Sequence, residues 1–576
     1  MSLSARFFEA IENRRVQSLV VAGLLAIHAL LLGYSATRHS PVHLEPAFLA
    51  SGISHWNFAR FELYRVNPPL PRMISSMPVL MAGCETDWSS FYDGPGARPE
   101  YACGEDFIKV NGPRSLWLFT LARLAGIPIN LLGAYIAYRW SRELYGWWGG
   151  FLTLILFVFD PNLLAYGEFA TPDGAFTAFG ILAGYSFWRW LRHPSWISAV
   201  LAGSALGLAE LSKLSWLILF GLWPLLWIVW RWWPGEKPTQ PVEQSNETSP
   251  QSPSAWQLGL ILLISVYVIN LAYAFDGFAA PLGDFVFVST TLTGLEKPGL
   301  AGNRFQGTCI GAIPVPLPKQ YILGIDSQGK DLQDFASKSY LRGEWKDGGW
   351  WYYYLYGFLV KEPLSFLALL AITGFLSFKS LSRDEVVLLV PAITLLAVTS
   401  SATEFNIHWR YVLPCTGLCC IFIGRSTLAL RNSRAGNSVL AVLATSSIIS
   451  LALIYPHHLT YFNLLAGGPQ QGYRHLLGSS LDWGQDLIEL SRQLKSQEFQ
   501  NMRIILVLPA RCSPESLGLF PENVSIVQSL DDAKFPPNTL VIRSRYLAPT
   551  LESSSGPINA SRFHGAWSVH FRGPPR

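Results

Sequence analysis

Residues 151–190 read FLTLILFVFDPNLLAYGEFATPDGAFTAFGILAGYSFWRW, two apolar runs joined by a few polar residues around Asp173. A hydrocarbon core of about 30 Å takes roughly 20 helical residues to cross. Each run approaches that length, and the connection leaves room only for a reversal, so the pair reads as two antiparallel membrane spans. The rest of the chain agrees. Half of its 576 residues are apolar and only 14% are charged, against about 25% charged in soluble domains. By the same window reasoning there are about eleven spans, near 17–36, 114–138, 146–165, 173–192, 196–211, 213–233, 255–275, 351–378, 384–401, 409–427 and 436–455. The net charge of +4 is small and no basic stripe is interleaved with aromatics, which excludes nucleic acid as a partner. The bilayer is the expected surrounding.

Orientation follows from the basic residues, because Lys and Arg mark cytoplasmic loops. With the N-terminus inside, Arg6, Arg14, Arg15, Arg139, Arg142, Arg189, Arg192, Arg231, Lys237, Lys379, Arg383, Arg425, Arg431 and Arg434 all fall in the cytoplasm. Lys213 and Arg410 are the exceptions in the short outer loops. The first span follows a basic start but is too long for a signal core, so it is expected to be retained. Residues 1–455 are then a membrane module with outer loops 37–113 and 276–350. The polar stretch 234–255 lacks almost all apolar residues and is expected to be a disordered cytoplasmic linker. Residues 456–576 change to short alternating segments, with MRIILVL (502–508) and NTLVIRS (538–544) as strands, and are expected to form a small extracytoplasmic α/β domain.

Chemistry-bearing residues gather on the outer side. Glu45, in HLEPAFLASG (43–52), and Asp173, in GEFATPDGAF (167–176), each begin a helix. Both can be read as N-terminal carboxylates favoured by the helix dipole, or as an acid or base at membrane depth, where ionisable groups are costly. Lys213 and Arg410 can snorkel to the interface or clamp an anion such as a lipid phosphate. RVNPPL (65–70) separates two amphipathic helices, 46–60 and 70–82, expected along the outer surface. GEWKDGGWWYYYLYG (343–357), with Trp350 and Tyr353, is an aromatic belt that could also stack on sugars or isoprenoids. Among the seven cysteines, Cys84 and Cys103 bracket a Gly/Pro-rich loop and are the expected disulfide pair. No spacing resembles a zinc site, and no cofactor is expected.

Taken in order, Glu45, Pro68-Pro69-Leu70, Asp173, Lys213 in "LSK", LVKEPL (359–364), Arg410 in WRYVLP and SSLDWGQDL (479–487) resemble the GT-C glycosyltransferases of the protein O-mannosyltransferase and lipid A aminoarabinose transferase branch, glycosyltransferase family 39-like. The resemblance covers about residues 1–490. It implies a GT-C membrane enzyme that moves a sugar from a polyprenyl-phosphate carrier to a hydroxyl acceptor (protein, lipid or glycan) on the outer face. It implies Glu45 as general base with Asp173 orienting it or sharing that role, and Lys213 and Arg410 on the departing phosphate. Two departures stand out: Leu44-Glu45 replaces the family's usual Asp-Glu, and Asn67 stands where the aminoarabinose branch has lysine, a charge that Arg65 is expected to supply. His408 and Trp409 beside Arg410 are also unusual. Asn67, His408, Trp350 and Tyr353 are the expected substrate-cavity residues. The rival readings are a polysaccharide ligase or polymerase, and a transporter or scaffold. The transporter reading is disfavoured because the spans are nearly free of mid-membrane charge.

Overall fold

The computed structural model describes residues 13–233, 252–333, 338–378, 380–402, 406–497, 500, 502–508, 514–527, 539–544 and 567–572. The chain is an α-helical polytopic membrane protein with two small sheets. Its membrane helices are α1 (Arg14–Ala36), α5 and α6 (Ser115–Leu124, Ile127–Val158), α8 (Pro172–Arg192), α9 (Trp196–Glu210), α10 (Ile218–Trp232), α11 (Ala255–Ala272), α13 and α14 (Tyr353–Lys361, Leu364–Ser377), α15 (Arg383–Ala402), α16 (Leu413–Ile423) and α18 (Arg434–Ala452). Among the described residues, seven helices are long and apolar enough to cross a membrane, eight if α13 and α14, bent by 116° at Glu362-Pro363, make one crossing. Leu30, Phe375 and Leu453 point out of the bundle, largely exposed, as side chains solvated by lipid would.

The shortfall from eleven has physical causes. Gly146, at φ 81° and ψ −177°, breaks α6 at the boundary between the second and third expected spans. Only glycine adopts that conformation without strain, and the two helices it separates count as a single crossing segment. Helix α8 is buried along nearly its whole length by its neighbours. A helix surrounded by protein can keep Asp173 in its first turn, which one facing lipid could not, while Arg189 and Arg192 are exposed in its last turn. Helix α9 has only 15 residues, and its Gly203 and Gly207 lie flat against α11. A Cβ on Gly203 would stand 2.6 Å from the Ile261 carbonyl oxygen, and one on Gly207 2.6 Å from Val268 Cβ. Small residues four apart let membrane helices approach this closely.

On the face that carries the long loops, α2 (Glu45–Phe58), α3 (Leu70–Met81) and α4 (Glu100–Asn111) form a packed layer. The two helices of the first loop occur where the sequence predicts them, but α2 is no surface helix: residues 45–55 are all buried. Glycine allows this, since a Cβ on Gly52 would meet the Arg72 carbonyl oxygen at 2.3 Å and one on Gly104 the Pro46 carbonyl carbon at 2.5 Å. Helix α3 is amphipathic as expected, with Met77 and Met81 outward and Arg72, Ser75 and Val79 buried. The expected disulfide is absent: Cys84 and Cys103 are both free thiols. Cys103 is buried on α4 within the apolar layer, whereas Cys84 is held in the turn after α3, where Asn111 bonds both the backbone N–H and carbonyl of Glu85. Helix α12 (Lys319–Gln333) lies over this face from the second loop.

After α18 the chain weaves back through the loop face before forming α19 (Leu487–Leu494) and a sheet of order β4-β3-β5-β6. Strand β3 (Arg503–Val507) pairs in parallel with β4 (Val524–Val527) and β5 (Thr539–Ser544), and β6 (Trp567–Arg572) closes the edge antiparallel to β5. Both strands predicted from sequence are therefore formed. Leu487, Leu490, Ile504 and Leu506 share one apolar cluster with Leu49, Phe107 and Phe119, so this region packs on the first-loop layer. The predicted linker falls mostly in 234–251, and Arg6, Lys237, Lys379 and Cys512 likewise lie outside the described residues.

Candidate active site

Helix α8 starts at Pro172, whose missing N–H costs nothing at a first helical position, and this puts Asp173 in the first turn, fully buried. Lys213 sits in extended backbone (φ −162°, ψ 136°) between α9 and the short turn Leu214–Leu217. That turn is fixed against α8: the Trp216 indole donates to the Phe176 carbonyl oxygen at 2.9 Å, and its ring lies over Gly180, where a Cβ would come within 1.9 Å. Arg410 belongs to the turn Trp409–Val412 that opens α16. These three elements meet at one carboxylate. Lys213 Nζ is 3.0 Å from Asp173 Oδ1, and Arg410 Nη1 is 2.8 Å from Asp173 Oδ2.

Both cations are also held by aromatic faces. Lys213 Nζ is 4.7 Å from the Phe176 ring centre and 4.6 Å from that of Tyr411, and the Arg410 guanidinium is 4.5 Å from that of Trp483. Cation–π contacts of this kind gain strength away from water. His408 Nδ1 pairs with Ser479 Oγ at 2.8 Å. Burial, with Arg410 beside it, holds its imidazolium well below the usual histidine range, so His408 is neutral here. The cluster therefore carries two positive charges against one negative, in a setting where leaving a charge uncompensated is expensive. An anion brought to Lys213 and Arg410 would complete the balance.

A cavity of about 450 Å³ opens on this cluster, with Lys213, His408, Arg410 and Tyr411 on its wall. Its apolar wall comes from the ends of two membrane helices, through Leu217 and Ile218 on one side and Leu395 and Val398 on the other. Helix α12 covers it through Ile325, Gln328 and Leu332, and Tyr64, Asn67 and Tyr101 complete the rim. Polar at the floor and apolar between spans, it suits a ligand with an anionic head and a hydrocarbon tail.

The remaining residues singled out in the sequence divide. Asn67 lines the cavity. Glu45 is near but not on it: Arg123 Nε and Nη2 donate to the two carboxylate oxygens at 2.8 and 2.6 Å, and the backbone N–H groups of Val42 and Ala170 donate at 2.9 and 2.8 Å. Ala170 is three residues before Asp173, so at most about 11 Å of chain separates Glu45's partner from the cluster. Arg65 is not at the phosphate position. It pairs with Asp93 at 2.6 Å and donates to Gln320 at 2.7 Å, which anchors α12. Trp350 and Tyr353 do not line the cavity either. The backbone N–H of Trp350 donates to the Asn406 side chain, and Tyr353 is buried against Tyr354 in the bundle. Nor do α2 and α3 cover the cavity; the cover is α12.

Sequence reasoning missed Arg123, Tyr411 and Trp483. Arg123 was legible in principle, as a charge inside an apolar run. The two aromatics lie within the quoted stretches WRYVLP and SSLDWGQDL, but nothing local shows that their rings face the cations.

Residues 101–280 match the family model described as dolichyl-phosphate-mannose-protein mannosyltransferase, the branch that the sequence motifs resemble. The match includes Asp173 and Lys213. No curated protein matches the chain significantly. Among solved structures the chain is similar to ArnT from Cupriavidus metallidurans bound to undecaprenyl phosphate, at 13% identity and TM-score 0.44, covering 97% of this chain and 99% of that one. It is also similar to the S. cerevisiae protein O-mannosyltransferase Pmt1-Pmt2 complex bound to the sugar donor, at 12% identity and TM-score 0.46, covering 84% and 92%. A third is the oligosaccharyltransferase AglB from Archaeoglobus fulgidus in complex with an inhibitory peptide and a dolichol-phosphate, at 12% identity and TM-score 0.43, covering 90% and 61%.

Proposed function

We propose that this chain is a membrane glycosyltransferase of the GT-C class, which takes a sugar from a polyprenyl-phosphate donor and passes it to a hydroxyl acceptor on the extracytoplasmic face. The observation that carries this reading is the pair Lys213 and Arg410, both on a half-apolar cavity and both ion-paired to the one carboxylate of Asp173. The family match over residues 101–280 supports it.

In this reading the donor's isoprenoid lies between the span ends that carry Leu217 and Val398, and its phosphate reaches Lys213 and Arg410. As the bond from the anomeric carbon to the phosphate oxygen breaks, negative charge grows on the phosphate. Cations already fixed by Asp173 and by the aromatic faces stabilise that charge without reorganising. Arginine offers two parallel donors to the phosphate and lysine a point charge. The acceptor hydroxyl loses its proton as it attacks. Asp173 is the base we favour, because an arriving phosphate draws both cations off its oxygens, and Glu45 shares the locale but is fully engaged by four donors. The N-terminus is assigned to the cytoplasm by the distribution of Lys and Arg, which puts the cavity on the outer side. The acceptor is a protein, lipid or glycan.

The test is product analysis by mass spectrometry, using membranes or purified chain supplied with polyprenyl-phosphate sugars and no nucleotide sugar. Sugar transfer lost on Arg410→Ala is the expected result. Movement of substrate across the bilayer without transfer would overturn the reading.

A further inference from the structure

Behind the site, where the chain leaves α1 and where it returns after α18, three side chains converge that the proposed reaction does not use. His39 follows α1, His457 follows α18, and Asp486 precedes α19. One ring nitrogen of each histidine and one carboxylate oxygen of Asp486 all lie within 4.8 Å of one another. His457 Nδ1 and Asp486 Oδ1 are 3.2 Å apart, and the His39 and His457 ring centres are 5.5 Å apart. Zinc takes nitrogen and carboxylate oxygen at about 2.0–2.2 Å in tetrahedral array, which sets neighbouring ligand atoms about 3.3–3.5 Å apart. The His457–Asp486 pair, hydrogen-bonded here, stands close to that spacing, and a ring nitrogen of His39 lies within 4.8 Å of both ligand atoms.

A second observation points to a ligand rather than to a packed polar cluster. His39 is buried, and while its Nδ1 faces the Glu168 carboxylate, its Nε2 has no hydrogen-bond partner among the described residues. An unpartnered buried ring nitrogen is a cost that folded proteins avoid unless something else satisfies it. The Nδ1 lies 2.9 Å from Glu168 Oε1. A metal carried on Nε2 would leave that carboxylate against the other ring nitrogen, the outer-shell pairing that orients metal-bound histidines. His457 has 13% of its side chain exposed, which supplies an access route and room for a water in the fourth position.

We propose that His39, His457 and Asp486 bind a divalent transition metal of the zinc class, with Glu168 orienting His39. The metal would clip the exit of the first span to the exit of the last and to the segment that carries Ser479 and Trp483 into the site. This inference stands apart from the glycosyltransferase reading, since it concerns binding alone.

The test uses the full-length chain in detergent, stripped with a chelator and titrated with zinc against a competing indicator. Gel filtration monitors folding. Uptake of about one tightly held zinc per chain is expected, together with a tetrahedral-type visible absorption when cobalt is substituted. His457→Ala and Asp486→Asn should each weaken zinc at least tenfold and abolish the cobalt band. Glu168→Gln should weaken zinc by about 10–100-fold. His457 is the most exposed of these groups and can be removed with least risk to folding, so its variant decides the matter if the others do not fold. Zinc uptake no greater than in a buffer control, or unchanged in His457→Ala, would overturn the proposal.

Discussion

The two carboxylates singled out in the sequence have similar burial and different partners, and this makes them separable. Glu45 neutralises Arg123 inside the protein and does not reach the cavity wall. Removing one partner of a buried, hydrogen-bonded pair typically costs about 3–5 kcal/mol, so Glu45→Gln is expected to lower thermal stability in detergent. Adding Arg123→Met should return part of the loss. Corrected for folded fraction, turnover by Glu45→Gln should remain within about tenfold of wild type, whereas Asp173→Asn should lose about 10²–10⁴-fold, the usual yield of a positioned base. The opposite ranking in single-turnover assays would transfer the role of base to Glu45. A separate group sets an acid limit. His55 Nε2 accepts from Arg72 Nε at 2.8 Å, and burial, then the charge of Arg72, hold its pKa well below 6.5. An unfolded chain binds this proton below about pH 6.5 while the native chain does not, so stability is present above that pH and falls on acidification. Melting curves between about pH 6.5 and 5 should show a shallower acid slope in His55→Asn than in the wild type.

Among the elements, the distance between α8 and the turn after α9 decides whether Lys213 can reach Asp173. That distance is fixed by Trp216 lying on Gly180, with no room for a Cβ. Gly180→Ala forces the indole away and carries the adjoining Lys213 with it. Overpacking of this kind costs about 1–3 kcal/mol, and here it should also raise the KM for the donor while the far wall of the cavity is untouched. The control is Gly221→Ala on α10, where a Cβ meets nothing within 4 Å. Equal donor KM in both variants would show that the α8 contact does not set the site. The mistaken placement of α2 has a related cause. Its apolar and small residues were read as one face toward a surface, yet Gly52 and Gly104 let two neighbouring backbones close over it. Helical periodicity reports which residues prefer burial, but not how many sides of a helix are covered.

At the scale of the molecule, the residues just after the change in composition at residue 456 are bonded to the helical bundle. Residues 457–486 run through the site and the bundle: Ser479 pairs with His408, Lys361 donates to the carbonyl oxygens of Leu459 and Ser480, and the Ser40 hydroxyl donates to the Gly484 carbonyl. Residues 487–494 instead share an apolar cluster with β3. A chain ending after Leu459 should lose both activity and most of its cooperative melting. One ending after Gln497 should keep the cation cluster and retain donor binding, though Leu487 and Leu490 lose their cover from β3. If both truncations bind a polyprenyl-phosphate donor equally well, residues 460–486 do not shape the site.

Much of this protein was determined by its sequence alone, because a bilayer imposes a one-dimensional rule. Apolar runs long enough to cross it must be helices, and Asp173, Lys213 and Arg410 stand out as charges where few are tolerated. Those three could be assigned to one face from span ends alone, without any knowledge of packing. What only the tertiary structure decided are relations between distant segments. The sequence shows Arg65 near the double proline but not that Asp93 and Gln320 occupy it. Cys84 and Cys103 look paired along the chain and border one apolar cluster, yet both are free thiols. The convergence of His39 with His457 and Asp486, more than roughly four hundred positions away, has no local spacing to betray it. The hydrophobic effect and the bilayer select segments by composition, which is local and legible. Hydrogen bonds, ion pairs and metal ligation select by distance and angle, and these exist only once the helices have packed.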